Sequence, residues 1–399
     1  MTYPVTGKYL ENLPEPLQEI FRKLEDSIFE YICGQFAYAG DANEKSVELM
    51  RQLQKGGLSL TEIEKRIKQT LGLSQAELDR VFDGVIGRNQ AFYTDTLDKM
   101  GLLETPTREA ALEAEIEAIR AQTLGELVNI TQSLGFAVPG LGGKVVPGSI
   151  QETYTRILDV ALLKVQSGAT NYTGAIRGAI DDLAASGLQW IDYPTGWHNR
   201  VEVAVRRAVM TGVGQMSAQY STALAEDVDT DFVEVSAHRG ARDKGFGPEN
   251  HKEWQGKVYH VGGSRRIDGV FYPDFVTTTG YGTGEGLAGW NCRHKWYPFV
   301  PGVMERSYTD EELQKIDPPP FTFEGKTYSA YEATQKQRQI ETAMRAQDRK
   351  VRGYKAAGDT EAYTAAKAKY NALSAKYKAF SKAAGLPEQR QRLYYAKKT

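Results

Sequence analysis

Four of the chain's five histidines and one of its two cysteines fall between residues 236 and 302. His238, His251, Cys292 and His294 are four soft-to-borderline ligands, the number that zinc takes in a closed tetrahedral structural site. A structural zinc is therefore the cofactor this group suggests. The spacing is not that of paired CxxC ligands: thirteen residues separate His238 from His251, and Cys292 and His294 are two apart. The same residues also suit a hydrogen-bonded polar core in which His and Arg side chains tie loops together. A third reading is a nucleophile–base pair, His251 with Glu253 or Cys292 with a histidine. No GxSxG or HExxH pattern orders those groups. His260 falls inside an expected strand and reads as a packed or surface residue. Trp254, Trp290 and Trp296 read as packing anchors. Arg206, Arg207, Arg239, Arg242 and Arg293 could meet phosphate, although pairing with Asp243, Glu249 or Glu253 is the commoner outcome for arginine. The run Tyr281-Gly-Thr-Gly-Glu-Gly286 leads to Trp290-Asn-Cys rather than into a helix, so it is no dinucleotide fingerprint.

The elements around this cluster follow from periodicity. Leu17, Ile20, Phe21, Leu24, Ile28, Tyr31 and Ile32 share one helical face after Pro14 and Pro16, with Cys33 as a core neighbour. Thr61-x-x-Glu64 and Ser74-x-x-Glu77 match the capping box and predict two helix starts. A charged helix is expected over 107–133. Residues 135–149 are rich in Gly and Pro and lack the GxxxxGK[ST] spacing of a phosphate loop, so they read as a connector. Ile157, Leu158, Ala161, Leu162 and Val165 make a helical stripe. Thr173 is placed to cap the next helix, which should stop at Gly187. Val201, Val205 and Val209 then recur every four residues. Short strands are expected over 231–236, 257–261 and 267–272. After Pro318-Pro319-Pro320, a seam of Ile340, Met344, Gln347, Val351 and Tyr354 faces one of Tyr363, Ala366, Tyr370, Leu373, Tyr377 and Phe380. Gly358-Asp359 supplies the turn of an antiparallel helical hairpin. The fold class is α+β: a mainly helical chain with a small Gly-rich β/loop module at about 231–305 and a C-terminal hairpin. Four consecutive segments are expected, namely an acidic helical region (1–134), a linker (135–149), an α+β core (150–315) and a basic hairpin (316–399).

The chain of 399 residues has a formal net charge of −2, so total charge does not mark it as a nucleic-acid binder. The charge is unevenly placed. Residues 1–130 hold 22 acidic and 14 basic side chains, while residues 321–399 hold 7 and 17. That back end could present Arg345, Arg349, Lys350, Arg352, Lys355, Lys376 and Lys378 to nucleic acid or an acidic partner; the plainer reading is two solvated helical surfaces. Two cysteines cannot build a disulfide framework, and the start lacks a charged-then-apolar leader pattern. No apolar run nears the roughly 20 residues that span a bilayer. Synthesis in a reducing cytoplasm and no membrane partner are the expectation.

Several ordered stretches carry a resemblance. VEVAVRRAVMTGVGQMS (201–217), VEVSAHRGARD (233–243), HKEWQGKVY (251–259), GLAGWNCRHKWYPFVPG (286–302) and YEATQKQRQIETAMR (331–345) resemble the phage minor capsid protein 2 family. The similarity is strongest over about 150–345. More distantly, the core is similar to head-morphogenesis proteins of the Mu F type, at Arg207, Thr211, His251 and Asn291-Cys292-Arg293, with the insert 244–248 lengthening the loop before His251. The resemblance implies a low-copy structural protein of a tailed-phage head, in the virion, near the portal or inside the capsid, aiding head assembly or DNA packaging and delivery. Its implied partners are the portal or major capsid protein, packaged DNA at the basic end, and further copies of itself around the portal. No catalytic residue comes with the family. Arg207, Arg239, Arg242, Trp254, Gln255, Asn291 and Arg293 then read as the cross-linked centre of an assembly module. An enzyme or toxin effector using the His/Cys cluster, and a host DNA-binding protein, are the competing readings.

Overall fold

The computed structural model describes residues 3–36, 45–103, 106–140 and 142–393. Leu141 of the expected connector and residues 394–399 of the basic segment lie outside the described residues. Helix α1 (Gly7–Asn12) starts behind Thr6, whose hydroxyl accepts the Tyr9 N–H. Helix α2 (Glu15–Gln35) buries Leu17, Phe21, Leu24, Ile28 and Ile32 as the stripe predicts, with Cys33 beside them. After α3 (Ser46–Gly56), the helix α4 (Leu60–Met100) runs unbroken. A helix thus starts beside Thr61 as expected, though capped from Ser59, and none starts at Ser74. Ser59, ahead of Thr61, accepts the Glu62 N–H. Ser74 is buried and donates to the Thr70 carbonyl at 2.7 Å, the back-bond open to a serine within a helix.

Helix α5 (Pro106–Gln132) covers the expected charged span. The stretch expected as a connector is instead a β-hairpin of β1 (Leu134–Pro139) and β2 (Val145–Ser149), registered Gly135↔Ser149 through Pro139↔Val145. Phe136 and Val138 alternate into the core, and Gly135 permits the close pairing: a Cβ there would sit 2.1 Å from the Gly148 oxygen. Ser149 and Glu152 form the capping box of α6 (Ile150–Gln166). Asn171 rather than Thr173 caps α7 (Tyr172–Ser186), which stops at Gly187 as expected. Strands β3 (Gln189–Asp192) and β4 (Trp197–Arg200) complete an antiparallel sheet ordered β2-β1-β3-β4. In α8 (Val201–Asp227), Val201, Val205 and Val209 are all buried.

The expected short strands follow as β5 (Phe232–Val235), β6 (Val258–His260), and the hairpin β7 (Arg265–Ile267) with β8 (Val270–Tyr272). One helical turn, α9 (His251–Trp254), precedes β6, and α10 (Phe275–Thr279) follows β8. Strand β9 (Trp296–Pro298) joins a three-stranded sheet ordered β6-β5-β9. Then come α11 (Asp310–Lys315), the hairpin β10 (Phe321–Phe323) and β11 (Lys326–Tyr328), and the helices α12 (Ala330–Ala357) and α13 (Thr360–Ala383). The fold is thus α+β and mainly helical.

The chain forms two compact units, each assembled from three separated stretches rather than from consecutive segments. One takes residues Met1–Pro16, Gln75–Glu126 and Arg206–Gln335. Its loop-rich part packs Val233, Val235, Trp254, Tyr259, Phe275, Leu287, Cys292 and Trp296 into one cluster. The other takes Leu17–Ser74, Leu127–Val205 and Lys336–Thr399. There α12 and α13 lie antiparallel. Gln337 Nε2 donates to Ser381 Oγ, Tyr377 OH to Glu341, and Gln347 Nε2 to the Ala366 carbonyl. Tyr370, Tyr377 and Phe380 are buried along the seam.

Candidate functional site

The single turn α9 carries His251 and Trp254 three residues apart, and hence on one side. Trp254 is the anchor: it is 2% exposed, and its indole N–H donates to the Pro248 carbonyl. The facing strand β9 is aligned by a reciprocal pair, Ser236 N–H to the Lys295 oxygen and Lys295 N–H to Ser236 Oγ. Just before β9, Asn291 adopts left-handed backbone (φ 57°), and the Cys292 N–H returns to the Gly289 carbonyl. This tight turn brings Cys292 and His294 against α9.

Three of the four expected ligands converge. The Cys292 Sγ lies 3.8 Å from His251 Nδ1 and 3.6 Å from His294 Nδ1, and all three residues are buried. The outer nitrogens are held by acceptors. His251 Nε2 lies 2.8 Å from the Glu285 carbonyl, which can only accept. His294 Nε2 lies 3.0 Å from Gln255 Oε1, and that oxygen is assigned by the His238 backbone N–H it also accepts. Both rings therefore carry their protons on Nε2 and turn Nδ1 lone pairs toward one sulfur. Burial pushes His251 down to about 4, with Arg242 adding to the shift, and drives His294 well below the ordinary range. Burial raises the Cys292 thiol. These shifts run opposite to the activation of a cysteine nucleophile. Glu253 accepts from Asn250 Nδ2, while His251 faces Glu285, so the expected His251–Glu253 base pair does not form.

His238 stands outside the trio. Its ring stacks on His294 at 4.3 Å, and its Nδ1 lies 3.0 Å from the Arg239 carbonyl and 3.3 Å from Arg293 Nη2. Burial, then Arg293, pushes it down to about 3. Of the four side chains expected to act together, three converge and His238 stands beside them. His260 is packed as expected, edge-on to Phe232 with Nδ1 near the Gly263 carbonyl.

The residues expected to cross-link this centre fall into different roles. Arg242 donates to the carbonyls of Glu285 and Trp290, and Arg293 reaches Glu11 as well as His238. Gln255 bridges His238 and His294. Arg207 is half-buried on α8. Trp290 is no packing anchor: it is 60% exposed and lies over Gly284, where a Cβ would meet its ring at 2.7 Å. Two participants carry no prior signal. Glu285 acts through its backbone oxygen, which no residue type announces. Lys295 is fully buried beside Cys292, its pKa lowered by that burial.

The basic end divides sharply. Arg345 pairs with Glu202, and Lys350 with Asp181. Arg352 meets Asp348, Glu30 and Asp26. Arg349 is 3% exposed, paired with Glu25 and donating to the Ala184 carbonyl. These four pair with carboxylates of their own unit. Lys355 and Lys378 are exposed and Lys376 is half-buried. Lys367, Lys369 and Lys382, absent from the expected set, are exposed on α13 as well.

Comparison with known proteins gives a consistent picture. A family model described as phage minor capsid protein 2 matches residues 5–382. The chain is 26% identical over 281 residues to a "Structural protein" of Lactococcus phage LL-H, covering 68% of this chain and 72% of that protein. No solved structure matches.

Proposed function

As the chain belongs to the phage minor capsid protein 2 family, we propose that it serves in low copy inside a tailed-phage head, near the portal, with the outer face of α13 toward packaged DNA. The observation that carries this reading is the charge of that helix. Between residues 362 and 387 there are five lysines and no acidic residue, and Lys367, Lys369, Lys378 and Lys382 are exposed. Arg345, Arg349 and Arg352 of α12 are paired with carboxylates of the same unit, whereas the lysines of α13 follow one another with no acidic residue between them. Small residues between the lysines let a phosphate backbone approach closely. Contacts of this kind bind without reading sequence.

The portal or major capsid protein is the partner we assign to the rest of the molecule, with several copies arranged around the portal. The relative from Lactococcus phage LL-H is named a structural protein, and this supports assembly rather than catalysis. Presence of the chain in purified virions and proheads is the expectation; its absence from both contradicts the placement.

The DNA contact is tested by salt titration of duplex binding by the full chain. Each phosphate neutralised adds about 0.9 to the negative slope of log K against log salt. Replacing Lys367, Lys369, Lys378 and Lys382 with Gln should flatten the slope by about 2–4. A Lys65→Gln, Lys244→Gln variant, altered at exposed positions elsewhere, should keep it. An unchanged slope in the α13 variant refutes the DNA-facing role.

A further inference from the structure

We propose that His251, Cys292 and His294 form a three-ligand site for a thiophilic divalent ion of the zinc class, with a structural role. The distances carry the first part of the argument. With Zn–S near 2.3 Å and Zn–N near 2.0–2.1 Å, tetrahedral angles place sulfur and nitrogen ligands about 3.5–3.6 Å apart. Cys292 Sγ stands 3.6 Å from one Nδ1 and 3.8 Å from the other. Both sulfur–nitrogen separations match that geometry to within a few tenths of an ångström, and the three ligand atoms all lie within 4.8 Å of one another.

Proton counting carries the second part. Glu285 and Gln255 fix both imidazoles with hydrogens outward and lone pairs inward. The thiol has one proton and can satisfy one of the two nitrogens at a time. The other is then a buried acceptor without a donor, which is unfavourable. A divalent ion satisfies all three atoms together: it bonds to both nitrogens and to the thiolate, and the thiol proton leaves to solvent. The outer hydrogen bonds to a carbonyl and a side-chain amide are also the kind that orient metal-bound histidines.

The site joins the single turn α9 to the turn before β9, across 41 residues of chain. The three strands around it, β6, β5 and β9, have only three or four residues each. A metal clip there adds to folding stability what short strands cannot. His238 is a stacking neighbour that restrains the His294 ring, not a ligand.

The test is elemental analysis of the purified full chain after dialysis against a weak chelator, followed by cobalt titration of the stripped protein. About one zinc per chain is expected, together with a thiolate-to-cobalt charge-transfer band. Cys292→Ser should lose both the zinc and the band, and His238→Ala should keep both. Gln255→Ala should retain the metal but bind it roughly 10–100-fold more weakly in chelator competition. Wild-type protein that holds no zinc and shows no cobalt band overturns the site. Retention by Cys292→Ser overturns it too, and loss in a folded His238→Ala variant overturns the three-ligand assignment. Should Cys292→Ser fail to fold, the cobalt titration of the wild-type chain decides.

Discussion

Asp359 is the residue on which the placement of α13 depends most directly, and its replacement makes a graded prediction. Its carboxylate caps the helix by accepting the Ala362 N–H at 3.0 Å. It also takes two bonds from Arg177, at 2.6 and 2.9 Å, while being 3% exposed. Burial works to raise its pKa, but Arg177 and the Ala362 N–H outweigh burial and hold it below the ordinary carboxylate range. Losing an N-cap costs about 1 kcal/mol. Two charge-assisted bonds would add about 3–6 kcal/mol if fully buried. Arg177 is about a third exposed and keeps Glu361 as a partner, so solvent and that second carboxylate reduce the loss to roughly 1–2 kcal/mol. Asp359→Ala should therefore destabilise α13 by about 2–3 kcal/mol. Asp359→Asn keeps the cap and should cost about 1–2 kcal/mol. The folded pKa lies below the unfolded one, so this stability is complete above the unfolded value of about 3.9 and is lost as pH falls through the folded value. Amide hydrogen exchange of peptides from 360–383 reads the effect locally, which matters in a chain of two units that need not unfold in one step. If Asn proves as damaging as Ala at pH 7, or if the gap between wild type and Asn fails to narrow in acid, the assignment of energy to the Arg177 pair is wrong.

Two further outcomes follow from burial. Asp26 is raised to about 7, chiefly by burial and against the pull of Arg352. A raised carboxylate loses stability as pH climbs from about 4 through 7, so Asp26→Asn should stabilise the chain at pH 8 by up to about 4 kcal/mol and change little at pH 4. A less stable variant in thermal melts at pH 8 would show instead that the ion pair with Arg352 dominates. Trp254→Ala should cost about 3–5 kcal/mol by emptying the loop core, whereas Trp290→Ala, at an exposed ring, should stay within about 0.5 kcal/mol; denaturant titrations followed by circular dichroism compare the two.

Local patterns in the sequence specify the elements whose partners lie close along the chain. The α2 stripe from Leu17 to Ile32 and the α12–α13 seam repeat within a few residues, and their burial follows. What failed depended on distant partners. Residues 135–149 have the composition of a connector, yet Gly135 and Leu134 pair with Gln189 and Trp190 some fifty positions away. The Ser74 box has the residues of a helix start, but α4 carries on through it, and the hydroxyl bonds back to Thr70. The basic end looked like one uniform charge surface. In its α12 half, Arg345, Arg349, Lys350 and Arg352 meet Glu202, Glu25, Asp181 and Asp26, none of which is near in sequence.

At the His/Cys cluster, residue types showed where chemistry concentrates but not which atoms meet. Ligand counting favoured four because zinc favours four, and His238 was the available fourth. The decision between ligand and neighbour rests on ring nitrogens. His238 turns Nδ1 to the Arg239 carbonyl and Arg293, while His251 and His294 turn theirs to sulfur. What selects those orientations is a backbone oxygen of Glu285 and one amide oxygen of Gln255 that serves two residues at once. A glutamate contributing only its carbonyl leaves no trace in the pattern of side chains. A glutamine placed to hold two histidines looks, in sequence, like any polar residue beside a tryptophan. The proposed three-ligand arrangement thus rests on hydrogen-bond direction at the outer nitrogens. Gln255→Ala is accordingly the substitution that separates an oriented metal site from a chance meeting of two histidines and a thiol.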